Sequence, residues 1–83
     1  MFFVYILKMS DGRLYIGYTN DLKRRLSQHK AGESAFTKKY LPVELVYCEM
    51  YKSRIDALER ERKLKQHKKG FAQLRNRIKK SLD

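Results

Sequence analysis

The feature that most restricts the fold of this chain is a short turn, Ser10-Asp11-Gly12, between two segments rich in aliphatic and aromatic residues. Neither segment has a helical period, so they predict two antiparallel strands. The length of the turn decides which side chains share a face of the hairpin. A three-residue turn with Gly12 in the left-handed conformation puts Tyr5 and Tyr15 on one face and the aliphatic residues on the other. A two-residue turn would separate the tyrosines, so we favour the longer one.

The rest of the chain predicts one further strand and three helices. Asn20 is suited to cap a helix that stops at Gly32, and Ser53 with Asp56 resembles a capping box for a second helix. Gly70 is expected to separate the second helix from the last one. The predicted ranges are strands at 2–9, 13–18 and 43–51, a loop or short turn at 33–42, and helices at 20–32, 53–66 and 71–81. This order, ββαβαα, predicts a single α+β domain over residues 1–83, with a small three-stranded antiparallel sheet flanked by helices.

The chain carries a large excess of positive charge. Twenty Lys and Arg residues against nine Asp and Glu residues give a formal net charge of +11 in 83 residues. Repulsion on this scale destabilises a compact chain, which indicates an anionic partner. The basic residues are spread over several elements, and no helix pairs a bulky apolar face with a basic one. Nucleic acid is therefore favoured over a membrane surface, and a merely well-solvated basic surface is the alternative.

The composition argues against several other classes of protein. The single cysteine, Cys48, rules out an intramolecular disulfide framework, and no Cys and His residues have the spacing of a metal site. The opening segment MFFVYILKM has no basic leader region, and Lys8 ends an apolar run that is too short to cross a bilayer. We therefore expect a cytoplasmic protein that does not bind a membrane.

Helical projection turns several charged side chains toward the apolar side of their helices. At 100° per residue, Arg25 and His29 lie beside the apolar stripe of the first helix, one turn apart, so both can act on one object. On the second helix, Glu61 faces inward and Glu59 points nearly opposite. An inward carboxylate in so basic a chain is either the buried partner of an arginine or a ligand for a divalent cation beside a phosphate. On the third strand, Val46, Cys48 and Met50 are expected to share one face. On the second helix, Ala57, Leu58 and Leu64 are expected to mark the side that faces inward.

Four short motifs together resemble the GIY-YIG nuclease family. They are FVY at 3–5, YIG at 15–17, an arginine ten residues after the second tyrosine, and an ALxxE helix. The resemblance covers roughly residues 2–66 and is greatest to small stand-alone members and to the N-terminal domain of excinuclease C. It implies a DNA endonuclease with a connection to DNA repair. The chain departs from the family pattern in the first motif, which lacks its glycine, and at Tyr18, where several relatives have lysine.

The resemblance implies roles for five residues. Tyr5 and Tyr15 would line the site and help to place or deprotonate the attacking water. Arg25 would grip the scissile phosphate, His29 would carry a proton, and Glu61 would hold a single Mg²⁺ or Mn²⁺ ion. These residue types suit phosphodiester hydrolysis, because arginine donates bidentate hydrogen bonds to phosphoryl oxygens and the metal adds Lewis acidity. Tyrosine is a poor base at pH 7, so whether a tyrosine or the metal generates the nucleophile stays open.

Two functions are compatible with these residues. The first is a metal-dependent endonuclease that hydrolyses phosphodiester bonds in single-stranded, branched or duplex DNA. Little sequence specificity is expected, because the chain leaves no room for a separate base-reading domain, and another protein or a second copy could assist it. The second is a non-catalytic basic module that binds nucleic acid and uses exposed tyrosines as stacking platforms. Glu61 distinguishes the two, because a pure binder gains nothing from a carboxylate that faces a phosphate.

Overall fold

The computed structural model describes residues 1–83 and confirms the predicted order of strands and helices. The bounds are β1 Phe2–Lys8, β2 Leu14–Thr19, α1 Leu22–Lys30, β3 Glu44–Tyr51, α2 Arg54–Gln66 and α3 Lys68–Arg77. Two short 3₁₀ helices, at Thr37–Tyr40 and Lys79–Leu82, complete the chain. The strands form one antiparallel sheet in the order β2-β1-β3. None of the helices combines the length and apolar composition that crossing a bilayer requires.

The β1–β2 hairpin has the predicted three-residue turn. A backbone hydrogen bond of 2.8 Å joins the strands just outside the turn. Gly12 has a φ of +89°, a left-handed conformation that glycine adopts without strain. The register pairs Tyr5 with Gly17 and Leu7 with Tyr15. Because directly paired residues and every second residue share a face, both tyrosines lie on the same side of the sheet, as predicted.

Each face of the sheet has its own apolar core. Alternate residues of β1 point to the two faces, so the strand contributes to both cores. The face covered by α2 and α3 buries Val4, Ile6, Ala57, Leu64, Leu74 and Ile78. The other face, covered by α1 and the first 3₁₀ helix, buries Tyr5, Leu7, Met9 and Val43. The second core is smaller, and polar side chains complete it around Tyr5.

A β-bulge interrupts β3 at Val46, which has no partner in the ladder with β1. Val46 packs into the core beneath α2. Cys48 pairs with Tyr5 and therefore shares its face. The prediction that Val46, Cys48 and Met50 lie on one face is wrong, because the extra residue of a bulge shifts the alternation by one.

Two helix boundaries differ from those expected. Asp21 caps α1 in place of Asn20, since its carboxylate accepts a hydrogen bond of 3.1 Å from a backbone N–H in the first turn. Both residue types are good caps, so propensity alone does not separate them. The break between α2 and α3 falls at His67, and Gly70 lies inside α3 instead of before it. The burial of Leu74 in the core outweighs the low helix propensity of glycine.

Helix α2 begins at its predicted cap, but its buried stripe is narrower than expected. Ser53 Oγ accepts a hydrogen bond of 3.3 Å from the backbone N–H of Asp56. Ala57 and Leu64 are buried, whereas Leu58 is 38% exposed. The prediction that Leu58 points inward with them is therefore wrong, and the buried stripe of α2 consists of Ala57 and Leu64.

Candidate active site

Tyr5 reaches the edge of the sheet because Gly17 leaves space for its ring. The two residues face each other across β1 and β2. A Cβ atom on Gly17 would overlap Cζ and the hydroxyl oxygen of Tyr5. The glycine of the YIG motif is therefore required by the tyrosine of the first motif. The hairpin register alone could have revealed this requirement.

The hydroxyl of Tyr5 meets a buried histidine from α1. Tyr5 Oη lies 2.9 Å from His29 Nε2, and His29 Nδ1 lies 2.8 Å from Thr37 Oγ1. All three side chains are almost fully buried. Burial, followed by the positive charge of Arg25, lowers the pKa of His29, so the imidazole is neutral at pH 7. A neutral imidazole donates through one nitrogen and accepts through the other, so the three side chains form a directed hydrogen-bond chain.

Arg25 lies beside the Tyr5 hydroxyl, and it comes one turn before His29 on α1. Its Nη1 donates a hydrogen bond of 3.0 Å to Gln28 Oε1. Partial burial acts to lower the pKa of Arg25, but its interactions with the hydroxyls of Tyr5 and Tyr15 outweigh burial and raise that pKa. Gln28 therefore holds the guanidinium in place beside the tyrosines.

The phenol of Tyr5 is neutral at pH 7. Burial is the main reason that its pKa is raised above 10.0; the neighbouring Tyr15 and Glu61 raise it further, and Arg25 opposes the change. When the Tyr5 oxygen accepts from the Arg25 guanidinium, its own proton points to His29 Nε2. The Nδ1–H of His29 then donates to Thr37. In this direction Tyr5 is the donor at Nε2, and each of the three buried side chains has a hydrogen-bond partner.

Tyr15 closes the outer side of the site. Its ring lies 5.3 Å from the imidazole of His29 in an edge-to-face arrangement and 6.4 Å from the ring of Tyr5. Phe36, which is 53% exposed, lies 5.7 Å from Tyr15 on the other side. The wall of the site thus extends into the segment that the sequence predicted only as a loop.

Glu61 approaches the site from α2. Its side chain is 19% exposed, whereas that of Glu59 is 50% exposed, so the two carboxylates point as the projection predicted. The partner of Glu61 is Lys65 Nζ at 3.0 Å, one turn along the same helix, and not an arginine. The negative charge of this carboxylate is the smallest of the causes that raise the pKa of Tyr5.

The acidic side chains do not form a metal cage by themselves. No group of three His, Cys, Asp or Glu side chains is clustered in the chain. A cage built from protein ligands alone, as for structural zinc, is therefore not formed. Mg²⁺ differs, because it keeps several waters and takes one or two protein carboxylates together with substrate phosphate oxygens. Glu61 supplies one carboxylate of this kind, 19% exposed and on α2.

Four of the five candidate residues, Tyr5, Tyr15, Arg25 and His29, lie together beside β2. The fifth, Glu61, lies on α2, and its charge contributes to the raised pKa of Tyr5. Two neighbours, Gln28 and Thr37, were not among the candidates. Thr37 lies in a segment without periodicity, so no sequence pattern indicates that its side chain is buried against His29.

Comparison with known proteins agrees with the motifs. The chain matches the GIY-YIG catalytic domain over residues 1–78. It is 50% identical over 64 residues to the UPF0213 proteins of Staphylococcus aureus strains Mu3 and USA300, covering 76% of this chain and 78% of each relative. The solution NMR structure of the UPF0213 protein BH0048 from Bacillus halodurans is similar, with a TM-score of 0.58 and 34% identity over 89% of this chain and 82% of that chain. The chain therefore belongs to the GIY-YIG nuclease family.

Proposed function

We propose that this protein is a metal-dependent endonuclease that hydrolyses phosphodiester bonds in DNA with little sequence preference of its own. The observation that carries the proposal is the buried chain from Tyr5 through His29 to Thr37, which begins beside the guanidinium of Arg25. A hydroxyl that contacts an arginine on one side and a neutral imidazole on the other can take a proton from a water beside a bound phosphate. The net charge of +11 supports a polyanionic substrate.

Arg25 would bind the scissile phosphate through the guanidinium N–H groups that Gln28 does not occupy. A water attacks phosphorus, its proton passes to the Tyr5 oxygen, and Tyr5 passes its own proton to His29 Nε2. The bond from phosphorus to the leaving oxygen breaks, and that oxygen takes a proton from solvent. This relay needs no free phenolate, which suits a tyrosine whose pKa is raised by burial.

Glu61 is the residue that would hold the Mg²⁺ or Mn²⁺ ion. A bound ion supplies Lewis acidity at the phosphoryl oxygens and offsets the charge of the transition state. In the free protein Lys65 pairs with this carboxylate at 3.0 Å and reduces its repulsion of an arriving phosphate. The participation of another protein or a second copy, and the cytoplasmic location, remain predictions.

The alternative is a nucleic-acid-binding module without catalysis. The exposed ring of Phe36, 6.0 Å from that of Tyr40, supports it, because such rings can stack on bases. A binding surface alone does not account for a neutral histidine bonded at both nitrogens beneath the tyrosine. The endonuclease explains both features and is the better supported function.

Cleavage assays on the pure protein test the proposal. Labelled single-stranded, duplex and branched DNA are incubated with Mg²⁺, with Mn²⁺ or with EDTA. We expect fragments in the presence of a divalent ion and none with EDTA. A protein that binds these DNAs but cuts neither DNA nor RNA with any divalent ion is the binding module instead.

Thr37→Val is expected to slow cleavage while the fold is retained. Valine has nearly the same shape as threonine, but it leaves the Nδ1–H of His29 without an acceptor, so the imidazole loses the partner that fixes its tautomer. General base catalysis accelerates reactions by about 10²- to 10⁴-fold. Losing the orientation of the His29 imidazole should therefore reduce the single-turnover rate at least roughly tenfold.

The pH profile and a conservative variant separate this role from simple loss of stability. In the parent, the rate should fall as the pH decreases through a value below 6.5, because protonated His29 cannot accept the proton of Tyr5. Thr37→Ser keeps a hydroxyl and should restore most of the rate. If Thr37→Val cuts at the parental rate across the pH range, His29 is not the proton acceptor.

A further inference from the structure

A second polar cluster lies on the opposite face of the sheet from Tyr5 and has no part in the proposed cleavage. Glu49 of β3 accepts hydrogen bonds from the hydroxyls of Tyr47 and Tyr51. It also accepts two from Arg60 of α2, through Nε at 2.9 Å and Nη2 at 3.0 Å. The side chain of Glu49 is only 14% exposed. The cluster therefore holds the Arg60 guanidinium in one orientation and leaves Nη1 without a protein acceptor.

Arg60 lines a groove between α2 and α3. The cavity has a volume of about 260 Å³ and is lined by Arg60, Gly70, Gln73, Leu74 and Arg77. This is smaller than the roughly 300–1,000 Å³ of sites for drug-sized ligands, so it suits a single small group. No carboxylate lines the groove. The polar groups that face it are guanidinium and amide groups, which can donate hydrogen bonds to an anion.

Gly70 keeps this groove open. It lies inside α3, where glycine is less favourable than alanine. A Cβ atom at Gly70 would have no heavy atom within 4 Å, so packing does not require a glycine here. Because Gly70 has no side chain, the backbone of α3 stays accessible from the groove at this point.

We propose that this groove binds a phosphate group of the nucleic-acid backbone, apart from the phosphate that is cleaved. The unpaired Arg77 presents a whole guanidinium to phosphate oxygens. Arg60, held rigid by Glu49, adds the N–H groups of its free Nη1, and Gln73 adds an amide. Free phosphate has the same chemistry, but the charge of +11 favours a polymer with many phosphates. Such a contact would fix the path of the DNA without reading its bases. The inference rests on the proposed function only through its need for a nucleic-acid partner.

The salt dependence of binding tests the groove without cleavage. Affinity for a fluorescein-labelled duplex is measured against salt concentration in the absence of divalent ions. Arg77→Gln should weaken binding several-fold and flatten the log–log slope by about 0.9, the contribution of one phosphate contact on duplex DNA. Arg62→Gln is the matched control, since it removes the same charge from α2 at an arginine that bonds Gln66 at 3.2 Å outside the groove. Its slope should equal that of the parent.

A second variant excludes misfolding as the cause. Gly70→Leu should fill the groove and weaken binding several-fold, yet raise the melting temperature because leucine favours a helix. Equal flattening by Arg62→Gln and Arg77→Gln, or parental binding by Gly70→Leu, would overturn the groove while leaving the endonuclease intact. A slope of zero in the parent would overturn both. If inorganic phosphate shifts the NMR signals of the Gln73 amide but Arg77→Gln leaves the DNA slope unchanged, the groove is a site for small phosphates and the backbone proposal is wrong.

Discussion

Glu61→Gln is expected to abolish metal-dependent cleavage while DNA binding stays equal or becomes tighter. The substitution keeps the shape of the side chain but removes the charge that would hold the metal. A metal ion held by Glu61 would supply several kcal/mol of charge stabilisation in the transition state, so the rate should fall by at least about 10³-fold. Binding does not depend on that stabilisation, and loss of a negative charge near the phosphate favours it. Single-turnover cleavage and binding in EDTA measure the two effects separately.

Glu59→Gln is a closely matched control for this prediction. Glu59 pairs with Lys63 at 3.3 Å, four residues on, as Glu61 pairs with Lys65 at 3.0 Å. Each substitution therefore removes one i,i+4 ion pair from α2, worth about 0.3–0.5 kcal/mol, so any general effect on the helix is shared. Glu59→Gln should cut like the parent. Inactivation by Glu59→Gln together with normal cleavage by Glu61→Gln would show that the metal ligand is misassigned.

Arg25→Ala distinguishes phosphate binding from metal binding at the same site. In the proposed reaction the guanidinium would contact the phosphate before and during the chemical step, so its removal should weaken DNA binding and slow cleavage together. Glu61→Gln should affect only cleavage. If Arg25→Ala instead binds DNA like the parent, the phosphate lies elsewhere and the relay through Tyr5 loses its substrate.

The parts of the site that were predictable follow from local rules. Turn chemistry at Gly12 determines the hairpin register, and the register places Tyr5 and Tyr15 on one face. The helical period then determines which side of each helix faces the sheet, and this is enough to turn His29 and Glu61 inward. Each step needs only residues that are close in sequence.

The parts that were missed depend on contacts between segments that are distant in sequence or lack periodicity. Thr37 is buried because its 3₁₀ helix packs on α1, and nothing in residues 33–42 encodes that contact. The bulge at Val46 changes which face of the sheet the later side chains of β3 point to, and no glycine or proline in the sequence marks it. The ion pair of Arg60 and Glu49 joins α2 to β3, so the residues around either one do not indicate that the two side chains meet.

Gly17→Ala is expected to destabilise the protein and to disconnect Tyr5 from His29. The added Cβ would occupy the position of the Tyr5 ring, so the ring must rotate away or the two strands must separate. Overpacking of this kind costs about 1–3 kcal/mol. In a domain of this size each kcal/mol lowers the melting temperature by about 4–8 °C, which thermal unfolding followed by circular dichroism detects easily. The NMR signals of the His29 ring should shift as its 2.9 Å hydrogen bond is lost.

A double-mutant cycle identifies the cause of that loss. Tyr5→Leu removes the ring that meets the new methyl group, so it should cost much less stability in the Gly17→Ala background than in the parent. The coupling between the two positions should therefore be large and should disappear for a residue whose side chain packs on the opposite face of the sheet, such as Tyr47. Additive effects of Tyr5→Leu and Gly17→Ala, or a parental melting temperature for Gly17→Ala alone, would mean that the ring does not cross the glycine. The relay from Tyr5 to His29 would then have no structural support.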